Sequence, residues 1–86
     1  MYRVIPDAQA IEQAEALPAH ALTSYAETFA VLGVDPWSGH PQNKDNPDGA
    51  VRYKLFGPGR AGHVVYLIID ADREVHVLLV QWLGID

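Results

Sequence analysis

The sequence has no cysteine, which excludes disulfide bonds and cysteine-ligated zinc and leaves packing or a partner to stabilise the fold. No apolar run approaches the roughly 18–20 residues of a membrane span, and no signal peptide precedes Pro6. Motifs typical of phosphate-binding loops, zinc proteases and serine hydrolases are missing too. We expect a cytoplasmic protein without a metal or other cofactor.

Positive charge is also scarce. Six lysines and arginines face eleven acids, for a net charge of −5, whereas nucleic-acid-binding proteins normally carry a basic surface. Residues 1–49 hold two basic and seven acidic residues, and residues 50–86 hold four of each. A basic site is therefore expected only in the second half of the chain.

The 86 residues predict one small domain, residues 1–86, whose first half is mainly helical. Tyr2 to Ile5 are typical of a short strand that ends at Pro6, which has no amide proton to donate. Asp7 is placed to cap a helix over residues 8–16, in which Ile11 is the only large apolar side chain.

A second helix is predicted from Pro18, which suits a first helical turn. Its apolar residues recur every three or four positions and form one stripe: Leu22, Tyr25, Ala26, Phe29 and Leu32. Gly33 is expected to end this helix in a left-handed conformation. An irregular segment, Val34 to Gly49, follows, and Trp37 is predicted to anchor it.

The second half predicts a three-stranded β-meander over residues 51–56, 63–70 and 75–83, with a Gly-rich break before His63 and a polar turn after Asp70. Alternation in the first strand separates Arg52 and Lys54 from its apolar residues. We expect the two helices to cover the face that bears Val51, Tyr53, Leu55, Val64, Tyr66, Ile68, Leu78 and Val80. The predicted fold is α+β in the order β-α-α-β-β-β, with a largely antiparallel sheet.

Arg52, Lys54, Arg60 and His63 flank the first hairpin and can form a small anion site, with Arg52, Lys54 and Arg60 as phosphate ligands. The alternative is an edge strand kept soluble by its charges. The four histidines lie in different elements, so no metal site is expected.

The order of these elements resembles the RelE/ParE superfamily of bacterial toxins from toxin–antitoxin systems, over nearly the whole chain. The residues that carry the resemblance are Tyr2-Arg3-Val4, Leu17-Pro18, Leu32 through Asp35-Pro36-Trp37-x-Gly39, Arg52-x-Lys54-Leu55, His63-Val64-Val65-Tyr66-x-Ile68-x-Asp70 and Val75-x-Val77-x-x-Val80.

The resemblance implies cleavage of messenger RNA in the ribosomal A site, with Arg52, Lys54 and His63 as the matching catalytic residues. His63 stands where the family usually has an arginine, and Leu83 stands where an arginine commonly follows the last strand. The chain ends at Asp86, before the family's terminal helix and its catalytic tyrosine or histidine. The resemblance thus implies a reduced nuclease centre.

Three functions follow from the resemblance. The first is a toxin–antitoxin component that acts mainly by binding protein, with an antitoxin-like partner or a second copy of the chain. The second is a ribosome-dependent messenger RNA endoribonuclease, and the third is a gyrase inhibitor of the ParE type.

With Arg52 and Lys54 outward, the open face of the sheet is predicted to be mostly apolar and to bind a partner. The residues assigned to this interface are Val65, Leu67, Ile69, Val77, Leu79 and Leu83. The alternative is that the segment Val34 to Gly49, or the C-terminal Leu83-Gly84-Ile85, covers this face.

Overall fold

Residues 1–84, which the computed structural model describes, form two α-helices and one five-stranded sheet. The strands are β1 (Arg3–Pro6), β2 (His40–Pro41), β3 (Val51–Phe56), β4 (Gly62–Ile69) and β5 (Glu74–Trp82), and the helices are α1 (Ala8–Glu15) and α2 (Ala19–Val34). The sheet order is β1-β5-β4-β3-β2, in which β1 runs parallel to β5 and the other pairs are antiparallel. The predicted α+β fold and element order are confirmed; the addition is the two-residue strand β2. No described helix is long and apolar enough to span a membrane.

Helix α1 begins as predicted, because the Asp7 carboxylate accepts a hydrogen bond from the Ala10 amide at 2.8 Å. Its core contact differs from the prediction: Ala10 is fully buried, whereas the Ile11 side chain is 46% exposed. A small residue therefore lets the helix approach the sheet closely, and the large one remains at the surface.

The prediction for Gly33 is wrong, since α2 continues through this residue to Val34. The Gly33 carbonyl instead accepts the Tyr2 amide at 2.8 Å, which ties the start of the chain to the helix. A Cβ at this position would lie 3.4 Å from the Tyr2 carbonyl oxygen, an ordinary contact distance, so this packing does not require a glycine.

The core lies between the helices and one face of the sheet. Its buried side chains from β3 to β5 are Phe56, Val64, Tyr66, Ile68, Val75, Val77 and Val80. We call this the covered face and the opposite one the open face. The predicted faces of β4 are confirmed by the burial of Val64, Tyr66 and Ile68.

The predicted faces of β3 are reversed. Arg52 pairs with Tyr66 and Lys54 with Val64, so both basic residues share the covered face. Arg52 is only 8% exposed, whereas Val51 and Leu55, which were assigned to the core, are 36% and 44% exposed. Leu78, the other misassigned position, lies at an irregularity where the β4–β5 register shifts and is half-buried.

Candidate functional site

Arg52 is the only charged side chain that is buried among residues 1–84. Its guanidinium donates hydrogen bonds to four backbone carbonyls, those of Gly39 at 2.9 Å, Pro47 at 2.7 Å, Gly49 at 3.1 Å and Trp37 at 3.4 Å. The carbonyls satisfy the desolvated donors, which is what makes burial of this charge tolerable. Arg52 thus organises the segment between α2 and β3, and its donors are not free for a phosphate.

Tyr66 holds the same segment from the neighbouring strand. Its hydroxyl is buried and donates to the Pro36 carbonyl at 2.6 Å, and burial raises the pKa of Tyr66 to about 12. A Cβ on Gly39 would lie 2.0 Å from this hydroxyl oxygen, so only glycine fits there. The segment is therefore drawn over the covered side of β3, and the expectation that it covers the open face is wrong.

Trp37 anchors the segment, as predicted, through the face of its ring and its indole nitrogen rather than by deep burial, since it is 38% exposed. Its ring lies 4.9 Å below the Arg52 guanidinium, and its indole nitrogen donates to Asp70 at 3.3 Å. The Tyr2 hydroxyl donates to the same carboxylate oxygen. Hydrogen bonds from Tyr2 and then Trp37 lower the pKa of Asp70.

These contacts place four polar or charged side chains around one cleft of about 160 Å³ at the outer margin of β3. Its lining residues are Ser38, His40, Lys54, Leu55 and Arg60. Strand β2 pairs only with Arg52 and Tyr53, so the last three residues of β3 have no strand on that side. We call this space the edge cleft.

The structure divides the predicted site residues among three places. Lys54 and Arg60 meet at the edge cleft. Arg52 donates its hydrogen bonds to backbone carbonyls. His63 pairs with Leu55 and lies on the open face, whereas Lys54 pairs with Val64 on the covered face. The predicted catalytic set of Arg52, Lys54 and His63 therefore does not converge on one point.

His40 is the cleft residue that sequence reasoning missed, as it did Ser38. Its ring packs on Tyr53 with centroids 5.2 Å apart, and Tyr53 meets the edge of His63 at 5.3 Å. No nearby residues in the sequence identify His40 as a cleft residue. It comes close to β3 only because β2 pairs with β3, in a segment that Arg52 and Tyr66 hold in place. A scattered histidine in the sequence becomes a neighbour of two cations in the fold.

The open face has an apolar centre. Tyr53, Val65, Leu67 and Leu79 lie on it, with Val51 and Leu55 at its β3 side. Of the predicted interface residues, Val65, Leu67, Ile69 and Leu79 belong to this face by alternation, but Val65 is only 7% exposed and is not available to a partner. Val77 does not: it pairs with Tyr66 and is fully buried in the core.

The ends of the open face are polar. His63 and Gln81 are in contact at 3.3 Å at one end. At the other end, Glu74 binds Arg3 and His76, and hydrogen bonds from His76 and then Arg3 lower the pKa of Glu74. Leu83 is 76% exposed beyond β5; Ile85, which was assigned with it to a covering segment, lies outside the described residues.

A second apolar surface lies between the helices. A groove of about 470 Å³ is lined mainly by apolar side chains, including Ile11 and Leu22, each 46% exposed. Leu22 therefore lies at the surface, although the predicted apolar stripe of α2 included it. Tyr25 and Phe29 from the same stripe are half-buried and pack against the core.

No family model and no curated protein sequence matches the chain. Solved structures do. The isolated RelE toxin of E. coli superposes with a TM-score of 0.79 at 14% identity, over 100% of this chain and 88% of that chain. The RelBE2 toxin–antitoxin complex of Mycobacterium tuberculosis gives 0.77 at 23% identity, over 94% and 96%.

An archaeal RelE–RelB complex from Pyrococcus horikoshii gives a TM-score of 0.65 at 17% identity, over 99% of this chain and 98% of that chain. At these identities the likeness concerns the fold, and it extends over nearly the full length of the proteins compared. The predicted resemblance is confirmed at that level: this chain has the RelE/ParE-like toxin fold.

Proposed function

We propose that the chain is a RelE-like component of a toxin–antitoxin pair that acts in the cytoplasm by binding protein through the open face, with a reduced or absent nuclease centre. The observation that supports this is the composition of the face. From β3 to β5 its described residues include no lysine or arginine, and its centre is apolar. Cleavage of RNA develops negative charge on phosphate and needs donors close to it. On the described part of this face such side chains are confined to the two ends, where His63 and Gln81 lie at one end and His76 and Arg3 contact Glu74 at the other.

The chemistry of the face suits a protein partner. An apolar centre with a polar rim is typical of protein interfaces, and here Glu74 and His76 stand at one end and His63 and Gln81 at the other. Two of the structures similar to this chain are complexes of RelE with the antitoxin RelB. We therefore propose an antitoxin-like partner for residues 1–86, which we take to be one domain.

Regulated expression in a bacterial host without the partner tests the proposal. We expect growth arrest without translation-dependent cuts in messenger RNA, because the apolar centre of the open face suits protein and carries no lysine or arginine for a phosphate. Leu79→Lys should abolish the arrest. Val34→Lys is the matched control, since Val34 is 67% exposed at the end of α2, away from this face.

Three outcomes would contradict the proposal. These are the absence of growth arrest, growth arrest that persists in Leu79→Lys, and cleavage of messenger RNA that appears when the wild-type chain is expressed and is absent without it. A supercoiling assay with purified gyrase, run on the same variants, separates the ParE-type alternative. Inhibition of gyrase that is lost in Leu79→Lys would identify gyrase as the bound protein.

Endoribonuclease activity is the second candidate, and the edge cleft favours it. Lys54 and Arg60 can hold a phosphate there, with His40 beside them as a proton donor or acceptor. His63 stands on the other side of Tyr53 and is less well placed. If cleavage is observed, its rate should fall in the His40→Ala and Lys54→Met variants. Replacement of Arg52, which the sequence predicted to be needed for cleavage, should lower cleavage only by destabilising the fold.

A further inference from the structure

We propose that the groove between α1 and α2, which we call the helix groove, docks a basic amphipathic helix of a partner protein. The groove belongs to the helical side of the molecule, whereas the open face is the opposite side of the sheet. The two surfaces share no residue, so both can be occupied at the same time. This inference is independent of protein binding at the open face, and each of the two proposals can fail alone.

The floor of the helix groove is fixed by the core beneath it. Ala14, Tyr25 and Phe29 line the groove and also pack against the buried cluster. The rings of Tyr25 and Phe29 meet edge to face with centroids 6.0 Å apart, and Tyr25 packs on the buried Phe56 at 5.6 Å. Because Ala14 is small, the space above it is left unfilled. A partner therefore meets a preformed depression of about 470 Å³.

The walls of the groove are apolar side chains that the chain itself leaves in solvent. Ile11 on α1 and Leu22 on α2 are each 46% exposed. Helix α2 has the same character over most of its length, since its exposed positions from Ala19 to Val31 include no lysine or arginine and one acid, Glu27. A helix with so little charge on its exposed side is typical of a helix packed against protein rather than against water.

The charge beside the groove is acidic and lies on the α1 side. Glu15 lines the groove, and Glu12, one turn earlier, is exposed next to it. Residues 4–43 contain no lysine or arginine, and the ion pairs found in residues 1–84 involve neither glutamate. An apolar groove with uncompensated carboxylates along one margin favours a partner that carries lysine or arginine beside its apolar residues.

The dimensions of the groove suit a helix. Helix α1 has 8 residues and is about 12 Å long at about 1.5 Å per residue, which matches roughly two turns of a docked helix. Such a helix presents apolar anchors at positions i, i+3 or i+4, and i+7. A second copy of this chain does not offer one, because α1 and α2 contain glutamates and no lysine or arginine.

The experiment is an amide-shift NMR titration with a synthetic amphipathic helix as the probe. The probe has leucines spaced three and four residues apart and lysine at the other positions, and a matched peptide has glutamate in place of each lysine. Both are titrated into the wild-type chain and into Leu79→Lys, which carries a charge on the open face. We expect saturable shifts centred on residues 11–29 in both proteins with the lysine peptide. The glutamate peptide should bind about tenfold more weakly, because its charges repel those of α1.

Two pairs of variants separate the apolar wall from the charge. Leu22→Gln should weaken binding of the lysine peptide about tenfold, whereas Val31→Gln, at a residue 42% exposed that does not line the groove, should bind like its parent. Glu15→Gln should weaken binding about threefold, the effect of one exposed ion pair, and Glu27→Gln outside the groove should leave it unchanged. Glutamine is a good helix former, so all four variants should keep their helices.

Four outcomes would overturn the proposal. These are equal binding of the two peptides, equal weakening in the groove variants and their controls, shifts on β3 to β5 that disappear in Leu79→Lys, and the absence of saturation. Amides of α1 and α2 that shift with the concentration of the chain alone would identify a second copy as the occupant, which also contradicts a basic partner helix. None of these results depends on growth arrest, so the proposed function at the open face is tested separately.

Discussion

The two faces of the sheet differ in which side chains they bury and which they expose. The covered face buries a guanidinium and a phenol, and each finds backbone carbonyls as partners: Arg52 binds four of them and Tyr66 one. The open face leaves aliphatic side chains such as Leu55 in contact with solvent. The difference is that the covered face is completed by groups of this chain, whereas the open face leaves aliphatic side chains exposed, which agrees with the partner proposed for it.

Truncation of Tyr66 tests whether the covered face forms the core, and it should lower the free energy of unfolding most. Tyr66→Ala removes a fully buried ring and its hydrogen bond, for an expected loss of about 3–5 kcal/mol in the free energy of unfolding. Phe29→Ala, at a partly buried position, should cost less, and Leu55→Ala on the open face should cost about 1 kcal/mol or less. Denaturant unfolding measures all three; equal losses for Tyr66 and Leu55 would refute the assignment of faces.

Replacement of Arg52 tests whether its charge serves the fold. Arg52→Met removes the donors of four carbonyls and should destabilise the chain by roughly 1–3 kcal/mol. Arg52→Lys should not restore stability, because an ammonium cannot reach four carbonyls in the geometry of a guanidinium fork. Thermal unfolding compares both variants with Lys54→Met, which should be nearly neutral. A stable Arg52→Met protein that has lost only phosphate binding would reverse our interpretation of the two cations.

Replacement of Asp70, at the turn after β4, should change the free energy of unfolding least. Because Tyr2 and Trp37 lower the pKa of Asp70 in the folded state, this carboxylate adds stability at a pH above its ordinary pKa. That stability is lost as the pH falls through the lower folded pKa. The difference in unfolding free energy between the wild type and Asp70→Asn should therefore be largest near neutral pH and narrow in acid.

Tyr2→Phe provides the control for this titration. It removes the hydrogen bond that lowers the pKa of Asp70 most, so the carboxyl pKa measured by NMR should rise toward its ordinary value. An unchanged Asp70 titration in Tyr2→Phe would mean that the contact does not form in solution.

The elements could be predicted from the sequence because their signals are local. Asp7 caps α1, glycines mark the β3–β4 turn, and the apolar run from Val64 identifies β4. The faces of β3 could not be predicted, because alternation defines two faces without stating which one is buried. Because Arg52 is charged, it was predicted to face solvent. The four carbonyls that bind it inside the protein belong to residues 3–15 positions earlier in the sequence, so they give no local signal.

The candidate site was predictable only in part for the same reason. Lys54 and Arg60 lie near each other in the sequence and were grouped, whereas His40 joins them through the pairing of β2 with β3. The prediction for Gly33 was wrong for a related reason: α2 continues through this residue, and its carbonyl binds the amide of Tyr2, which is distant in sequence. In each case a contact distant in sequence outweighed a local rule.

Sedimentation of the purified chain tests most directly the claim that the open face is an interface. The apolar surface of the open face, half-buried at Leu67 and Leu79 and exposed at Val51 and Leu55, should make the wild type self-associate when no antitoxin-like partner is present. Leu67→Lys or Leu79→Lys should convert it to a monomer that unfolds at the same denaturant concentration. Val34→Lys should sediment like the wild type. A wild-type monomer with the same sedimentation coefficient and stability as both open-face variants would contradict the account.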